Sequence, residues 1–265
     1  MGRSMNEFSR RRFTATAAGI AVGVFAAPMF RVAAQDATPG AESAPRGFIS
    51  TRVRTVESDE QRDAVNEMVF AGFIQDVREL EGYRGYVLGD VIGQPGKSLS
   101  ILVLENESQQ AGFDALAAEF VAGIEEEVTT VSTEEWSGEL LIAASARQHG
   151  SGTPPQKPGA GPLTQGYVVV RVHESAPDMD SREMVPLISA DFLPIVGAID
   201  GFRGYLWYPT EDGFVSITLF DSEEAAMESN EVKTDWISEN LADYVAGEGE
   251  VFNAIVRFAS LPVLG

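Results

Sequence analysis

Gly82-Tyr83-Arg84-Gly85-Tyr86 returns as Gly201-Phe202-Arg203-Gly204-Tyr205, 119 residues further along the chain. The same offset sets Arg52-Val53 against Arg171-Val172, Phe73 against Phe192 and Val77 against Val196, with no gap from Phe48 to Leu88. Past a hairpin three residues shorter in the second copy the offset becomes 116. It then matches Ser100-Ile101 to Ser216-Ile217, Glu107 to Glu223 and Phe120 to Trp236. Register kept through a whole supersecondary unit marks an internal repeat. The chain therefore divides into a first copy over 47–145 and a second over 165–262.

Each copy reads β-α-β-β-α-β. From Phe48 to Arg54, Ile49, Thr51 and Val53 alternate with Phe48, Ser50 and Arg52, which is strand periodicity. Ser58-Asp59-Glu60-Gln61 has capping-box spacing. It opens a helix with Val65, Met68, Val69, Phe73, Val77 and Leu80 on one face, closed by Gly82. Strands are expected near 83–89 and 98–104, then a helix with Phe113, Leu116, Ala117, Phe120, Val121 and Ile124, then a last strand at about 139–144. In the second copy, strands are expected near 167–173, 202–208, 214–220 and 251–258. Its helices carry Met184, Leu187, Ile188, Phe192 and Val196, then Val232, Trp236, Ile237 and Leu241. This order is the ferredoxin-like split motif, whose sheet carries helices on one face only. The bare face needs a cover, and the twin copy is the obvious one. The sequence thus predicts an α+β fold, two ferredoxin-like repeats packed sheet to sheet as an intramolecular dimeric α+β barrel.

Three segments stand outside the repeats. Ser9-Arg10-Arg11-Arg12-Phe13 precedes a weakly apolar stretch from Ala15 to Phe30, then Arg31 and Val32-Ala33-Ala34. This resembles a twin-arginine (Tat) export signal, with cleavage expected after Ala34 and the Tat translocase as the partner during export. Arg31 and the modest hydrophobicity favour it over a general secretory signal, and the stretch is shorter than the ~20 residues of a membrane span. A periplasmic or extracellular address follows. A polar leader covers 35–46. Gly150 to Pro162 reads as a Pro/Gly-rich linker within 146–164, where the Pro155 to Pro158 spacing is incidental.

Composition narrows the function. The 265 residues are 44% apolar and 22% charged, with a net charge of −21; without the signal, 39 acidic side chains face 14 basic ones. Such a chain repels nucleic acid. It has no cysteine, hence no disulfide, thiolate nucleophile or Cys-bound metal.

At Asp200-Gly201-Phe202-Arg203-Gly204-Tyr205, Phe220 to Ala225 and Lys233-Thr234-Asp235-Trp236, the second copy resembles the antibiotic-biosynthesis-monooxygenase-like superfamily. The resemblance covers both repeats and speaks for fold more than activity. It implies a pocket between sheet and helices and, for the monooxygenases, a cofactor-independent reaction in which a phenol or quinol supplies the electrons to oxygen. No catalytic residue set carries over. Haem-degrading relatives would need an axial ligand. His149 belongs to the linker, and His173, aligned with Arg54, reads as a surface position at a strand end. Gly197-Ala198-Ile199-Asp200-Gly201 matches the G-x-x-D-G signature of dye-decolourising peroxidases, but its counterpart from Arg78 to Gly82 lacks it. No cofactor and no metal site are expected.

The candidate ligand-binding residues are Arg52, Arg171, Tyr205, Trp207, Trp236 and Asn253. Arg52 and Arg171 lie opposite the Ile49/Thr51/Val53 and Val168/Val170/Val172 stripes. If those stripes face the helices, both guanidiniums point into the inter-sheet space, where they suit an anionic ligand. The competing reading pairs each arginine with an acidic side chain. Arg84 and Arg203, between glycines, read as structural. Phe120 and Trp236 fit a core, Tyr205, Trp207 and Tyr208 fit a core or a pocket wall, and Asn253 with Arg257 marks a polar strand face. The expected function is binding of a small anionic or aromatic molecule, with a cofactor-independent monooxygenase as the alternative.

Overall fold

The computed structural model describes residues 46–146 and 166–261. The export signal with Arg10, Arg11 and Ala34, the leader up to 45 and the linker stretch containing His149 lie outside the described residues. The first copy runs β1 (Phe48–Val56), α1 (Asp59–Met68), a π-helical turn (Val69–Phe73), α2 (Ile74–Glu79), β2 (Tyr83–Val91), β3 (Lys97–Leu104), α3 (Gln110–Ile124), β4 (Thr130–Glu139) and β5 (Ile142–Ser145). The second runs β6 (Tyr167–Ser175), α4 (Val185–Leu187), another π-helical turn (Ile188–Phe192), α5 (Leu193–Val196), β7 (Phe202–Pro209), β8 (Gly213–Phe220), α6 (Glu223–Asn240) and β9 (Val245–Ser260). The two π-helical turns begin at Val69 and Ile188, the same 119-residue offset as the sequence repeat. Ser58 and Ser222 cap their helices by accepting the backbone N–H three residues on.

One antiparallel sheet has the order β4-β1-β3-β2-β9-β6-β8-β7-β5. Its two halves, β4-β1-β3-β2 and β9-β6-β8-β7, repeat the ferredoxin-like order. They join because β9 is long: Tyr167 to Ser175 pairs with its first part, and its last part reaches β2, from Val91 opposite Ala254 to Tyr86 opposite Ser260. The first copy does the same with a broken strand. β4 pairs with β1, and two residues later β5 pairs with β7 of the other copy, Ile142 opposite Trp207. β4 and β5 are thus the two ends of the order and neighbours in the chain, so the sheet closes into a barrel. At the closure β4 runs hard against β7: a Cβ on Gly138 would sit 2.0 Å from the Pro209 carbonyl oxygen.

The last strand of the first copy begins at Thr130, not near 139. Thr130 to Trp136 is polar and mostly exposed, so its pairing with β1 was not visible as hydrophobic periodicity. Inside the barrel, Ile49, Val53, Val87, Leu99 and Ile101 meet Val168, Val170, Leu206, Val215 and Ile217. All ten are fully buried, each contributing on the order of 1.5–3 kcal/mol. The Tyr208 hydroxyl donates to Thr51 Oγ1 at 2.8 Å across this core. Outside, each copy packs its own helices on the other sheet face, through Phe73, Val77 and Phe113 in the first and Phe192, Val196 and Trp236 in the second.

Candidate functional site

Strand alternation decides where the polar side chains go. Val168 and Val170 face the barrel interior, so Val169, Arg171 and His173 face α6. This reverses the orientation expected for the arginines. The β-branched stripes fill the dry interior on both copies, and Arg52 and Arg171 point outward to the helices, where polar groups can receive them.

Arg171, His173 and Lys233 come together between β6 and α6, at 3%, 6% and 5% exposure. Arg171 donates to Ser229 Oγ at 2.8 Å, Asn230 Oδ1 at 2.6 Å and Thr218 Oγ1 at 3.4 Å, all neutral acceptors. Asn230 is held in turn by Asn253, at 3.2 Å. Lys233 Nζ donates to Ser216 Oγ at 2.7 Å and lies 3.3 Å from His173 Nε2. The His173 ring stacks on Phe214, and its buried Nδ1 has no hydrogen-bond partner. Gly249 closes over that ring at φ 74, where a Cβ would come within 2.5 Å of Nδ1. Among the described residues, no carboxylate forms an ion pair with any of the three. His173 is therefore no surface position, and Arg171 is not acid-paired.

Burial sets the protonation here. It lowers the Lys233 pKa well below the usual lysine value, with Arg171 adding repulsion. Burial, then Lys233 and Arg171, push His173 down to about 3. Arg171 is lowered by burial but stays cationic at neutral pH. Tyr205, fully buried beside this group, is raised by burial and remains a phenol. The three basic residues border a cleft of about 620 Å³, whose apolar wall includes Ile237, Val245 and Val251.

At the same location in the first copy Arg52 is acid-paired, while Arg54, in the place of His173, borders the cleft with no ion pair among the described residues. Arg52 donates to Asp114 Oδ1 at 2.5 Å and Glu135 Oε1 at 2.8 Å, with its guanidinium over the Phe113 ring. Burial lowers the Arg52 pKa, and Glu135 and Asp114 more than reverse this. By the 116-residue offset, Asp114 becomes Asn230, Phe113 becomes Ser229 and Ala117 becomes Lys233. In the strand register, Arg52 lies opposite Glu135 while Arg171 lies opposite Val251. Both counter-charges are lost, Lys233 replaces Ala117, His173 replaces Arg54, and the cleft grows from about 50 Å³ to about 620 Å³.

The remaining sequence candidates separate. Tyr205 packs beneath Arg171, and Asn253 orients Asn230. Trp207, fully buried beside Phe214, and Trp236, against Phe192 at 4.9 Å, belong to the helix–sheet core. Arg84 and Arg203 pair with the equivalent acids Glu105 and Asp221. Lys233, Ser229 and Asn230 escaped the sequence reading. The signal that finds them is the change of charge between aligned copies. Two clefts of about 670 and 660 Å³ share one end of the barrel, where Glu211 and Asp212 give them an acidic rim. Among the described residues, no cluster of His, Asp and Glu suits a metal ion, and no helix is long and apolar enough to cross a membrane.

The sequence matches no protein-family profile and no curated protein. The fold has solved counterparts. An anthrone oxidase-like protein superposes with a TM-score of 0.60 at 15% identity, over 83% of this chain and 95% of that one. A candidate monooxygenase from Fusobacterium nucleatum gives 0.60 at 11% identity, over 82% and 95%. One from Lactobacillus acidophilus gives 0.58 at 11%, over 82% and 97%. At such identities the likeness speaks for the fold alone, and the chain is a dimeric α+β barrel of the kind that these monooxygenase-like proteins adopt.

Proposed function

We propose that the chain binds one small anionic molecule, a carboxylate on an apolar or aromatic body, in the cleft of the second copy. The observation that carries this is Arg171, buried against neutral partners where its counterpart Arg52 holds two carboxylates. An uncompensated buried cation costs several kcal/mol, and a ligand carboxylate would remove that cost through the two-point geometry guanidinium favours. Ile237, Val245 and Val251 give the ligand body an apolar wall. In the first copy Arg52 already holds two carboxylates and the cleft is only about 50 Å³, which leaves one such site per chain. Export through the Tat translocase belongs to the same proposal and rests on Arg10, Arg11 and the segment ending at Ala34.

The alternative is a cofactor-independent monooxygenase. Its support is the likeness of fold to an anthrone oxidase-like protein and two candidate monooxygenases, with a cleft between sheet and helix. Calorimetry with benzoate tests the binding reading. Saturation at one site per chain is expected, with Arg171→Gln weakening it by about 30-fold or more and Arg52→Gln leaving it unchanged. Equal loss in both variants would sink it. Oxygen uptake with anthrone, abolished by Arg171→Gln, would establish the alternative.

A further inference from the structure

Lys233 is one of three lysines in the chain, with Lys97 and Lys157, and it occupies a poor place for a proton. It is 5% exposed, and no carboxylate among the described residues pairs with it. Every element around it is neutral or cationic at that point. β6 presents Arg171 and His173, β7 the phenol of Tyr205, and β8 the hydroxyls of Ser216 and Thr218. Glu248 borders the cleft from its exposed rim. A desolvated amine beside a second cation keeps its lone pair, and in that form lysine attacks carbonyl carbon. Burial and Arg171 both hold the Lys233 pKa well down, in agreement with this geometry.

The spacing supplies the second half of the argument. Ser229, which receives Arg171, and Lys233 are four residues apart on α6, hence one turn and roughly 5–6 Å apart on the same face. A carboxylate on Arg171 therefore brings the next one or two carbons of its own skeleton to the amine.

We propose that Lys233 forms an imine with the carbonyl group of an oxo acid whose carboxylate rests on Arg171. The nitrogen adds to the carbonyl carbon to give a carbinolamine. The C–O bond then breaks as C=N forms, and the oxygen leaves as water with the two protons that the amine loses. Nothing is oxidised or reduced. His173 Nε2, 3.3 Å from Nζ, and Ser216 Oγ, at 2.7 Å, orient the amine toward the cleft. This inference rests on the carboxylate-binding reading of the same cleft.

The test is pyruvate with cyanoborohydride on the full chain at neutral pH, followed by peptide mass mapping. The reductant traps the imine as a stable secondary amine. Lys233 is expected to carry at least about tenfold more label than Lys97 or Lys157, because an ordinary lysine is almost wholly protonated at that pH. Its labelling should rise far less from pH 7 to 9 than the roughly tenfold per pH unit of a lysine with the ordinary pKa. Arg171→Gln should remove most of the label at Lys233. Pyruvate binding by calorimetry with no excess label at Lys233 would overturn the imine and leave carboxylate binding standing. Absence of binding by both pyruvate and benzoate would overturn the two together. Label undiminished in Arg171→Gln would overturn the anchoring of the oxo acid.

Discussion

Asn230 holds in the second copy the position that Asp114 holds in the first, and each touches the strand arginine of its own copy, at 2.6 Å and 2.5 Å. The geometry is kept while the charge is not. Val251 in place of Glu135 repeats the change from the strand side. An arginine whose counter-charges are withdrawn from two independent elements is the clearest indication of a place for a ligand.

Restoring the first-copy pairing should close the site. Asn230→Asp supplies Arg171 with an internal carboxylate, which competes with any ligand anion. Benzoate affinity is expected to fall by about 30-fold, and the melting temperature to rise, because a buried unpaired cation becomes a paired one. Calorimetry and thermal unfolding check the two halves. Unchanged affinity would show that the anion does not sit on Arg171.

Lys233→Met should stabilise the protein, and more at neutral pH than near pH 10.5. Burial and Arg171 disfavour the protonated amine in the fold, so the unfolded state binds more protons at this group below the ordinary lysine pKa of about 10.4. Stability lost to Lys233 is therefore recovered as pH rises to that value. Replacement by an apolar side chain of similar volume is expected to add about 1–4 kcal/mol at pH 7 and little near pH 10.5. Unfolding midpoints at the two values measure the difference.

His173 should not titrate in the physiological range. With its pKa pushed down to about 3 by burial and then by Lys233 and Arg171, its ring stays neutral where an exposed histidine would charge near 6.5. In a His149→Asn background only one imidazole remains. Its NMR signal should hold its shift from pH 8 to 5. The stability that depends on this neutral ring is complete above about pH 6.5 and is lost as pH falls toward 3.

Tyr208→Phe tests the contact across the barrel. The hydroxyl reaches Thr51 Oγ1 from the other copy, 157 residues away, and the Trp136 carbonyl oxygen at 3.2 Å, at the edge of an apolar core. Its removal strands a buried hydroxyl and should cost on the order of 1–3 kcal/mol. Tyr208→Phe with Thr51→Val removes both hydroxyls and leaves only the Trp136 carbonyl, so the double variant should recover part of that loss. A double variant as weak as the sum of the singles would mean that the two groups are not coupled.

Much of the architecture could be read from the chain. The phase of Ile49, Thr51 and Val53 shows a strand, and the 119- and 116-residue offsets show that the motif occurs twice. The Thr130 to Trp136 strand was hidden because it pairs at a polar, exposed margin, where backbone hydrogen bonds rather than apolar burial hold it. The candidate site was half visible. Arg171 stood out as a repeated arginine, whereas Lys233 entered only within the stretch that carries the resemblance.

The repeated sequence, through periodicity and register, determined that two one-faced sheets need covers and that each is the other's. It left open which face of a strand is the drier. Alternation defines two faces, yet here both are covered, one by the twin sheet and one by helices, so hydrophobicity alone does not choose. Only the tertiary structure turned Arg171 and His173 toward α6, brought Lys233 to them and kept carboxylates away. Charge compensation depends on residues brought together from β6, β8, β9 and α6, and sequence separation carries no information about that distance.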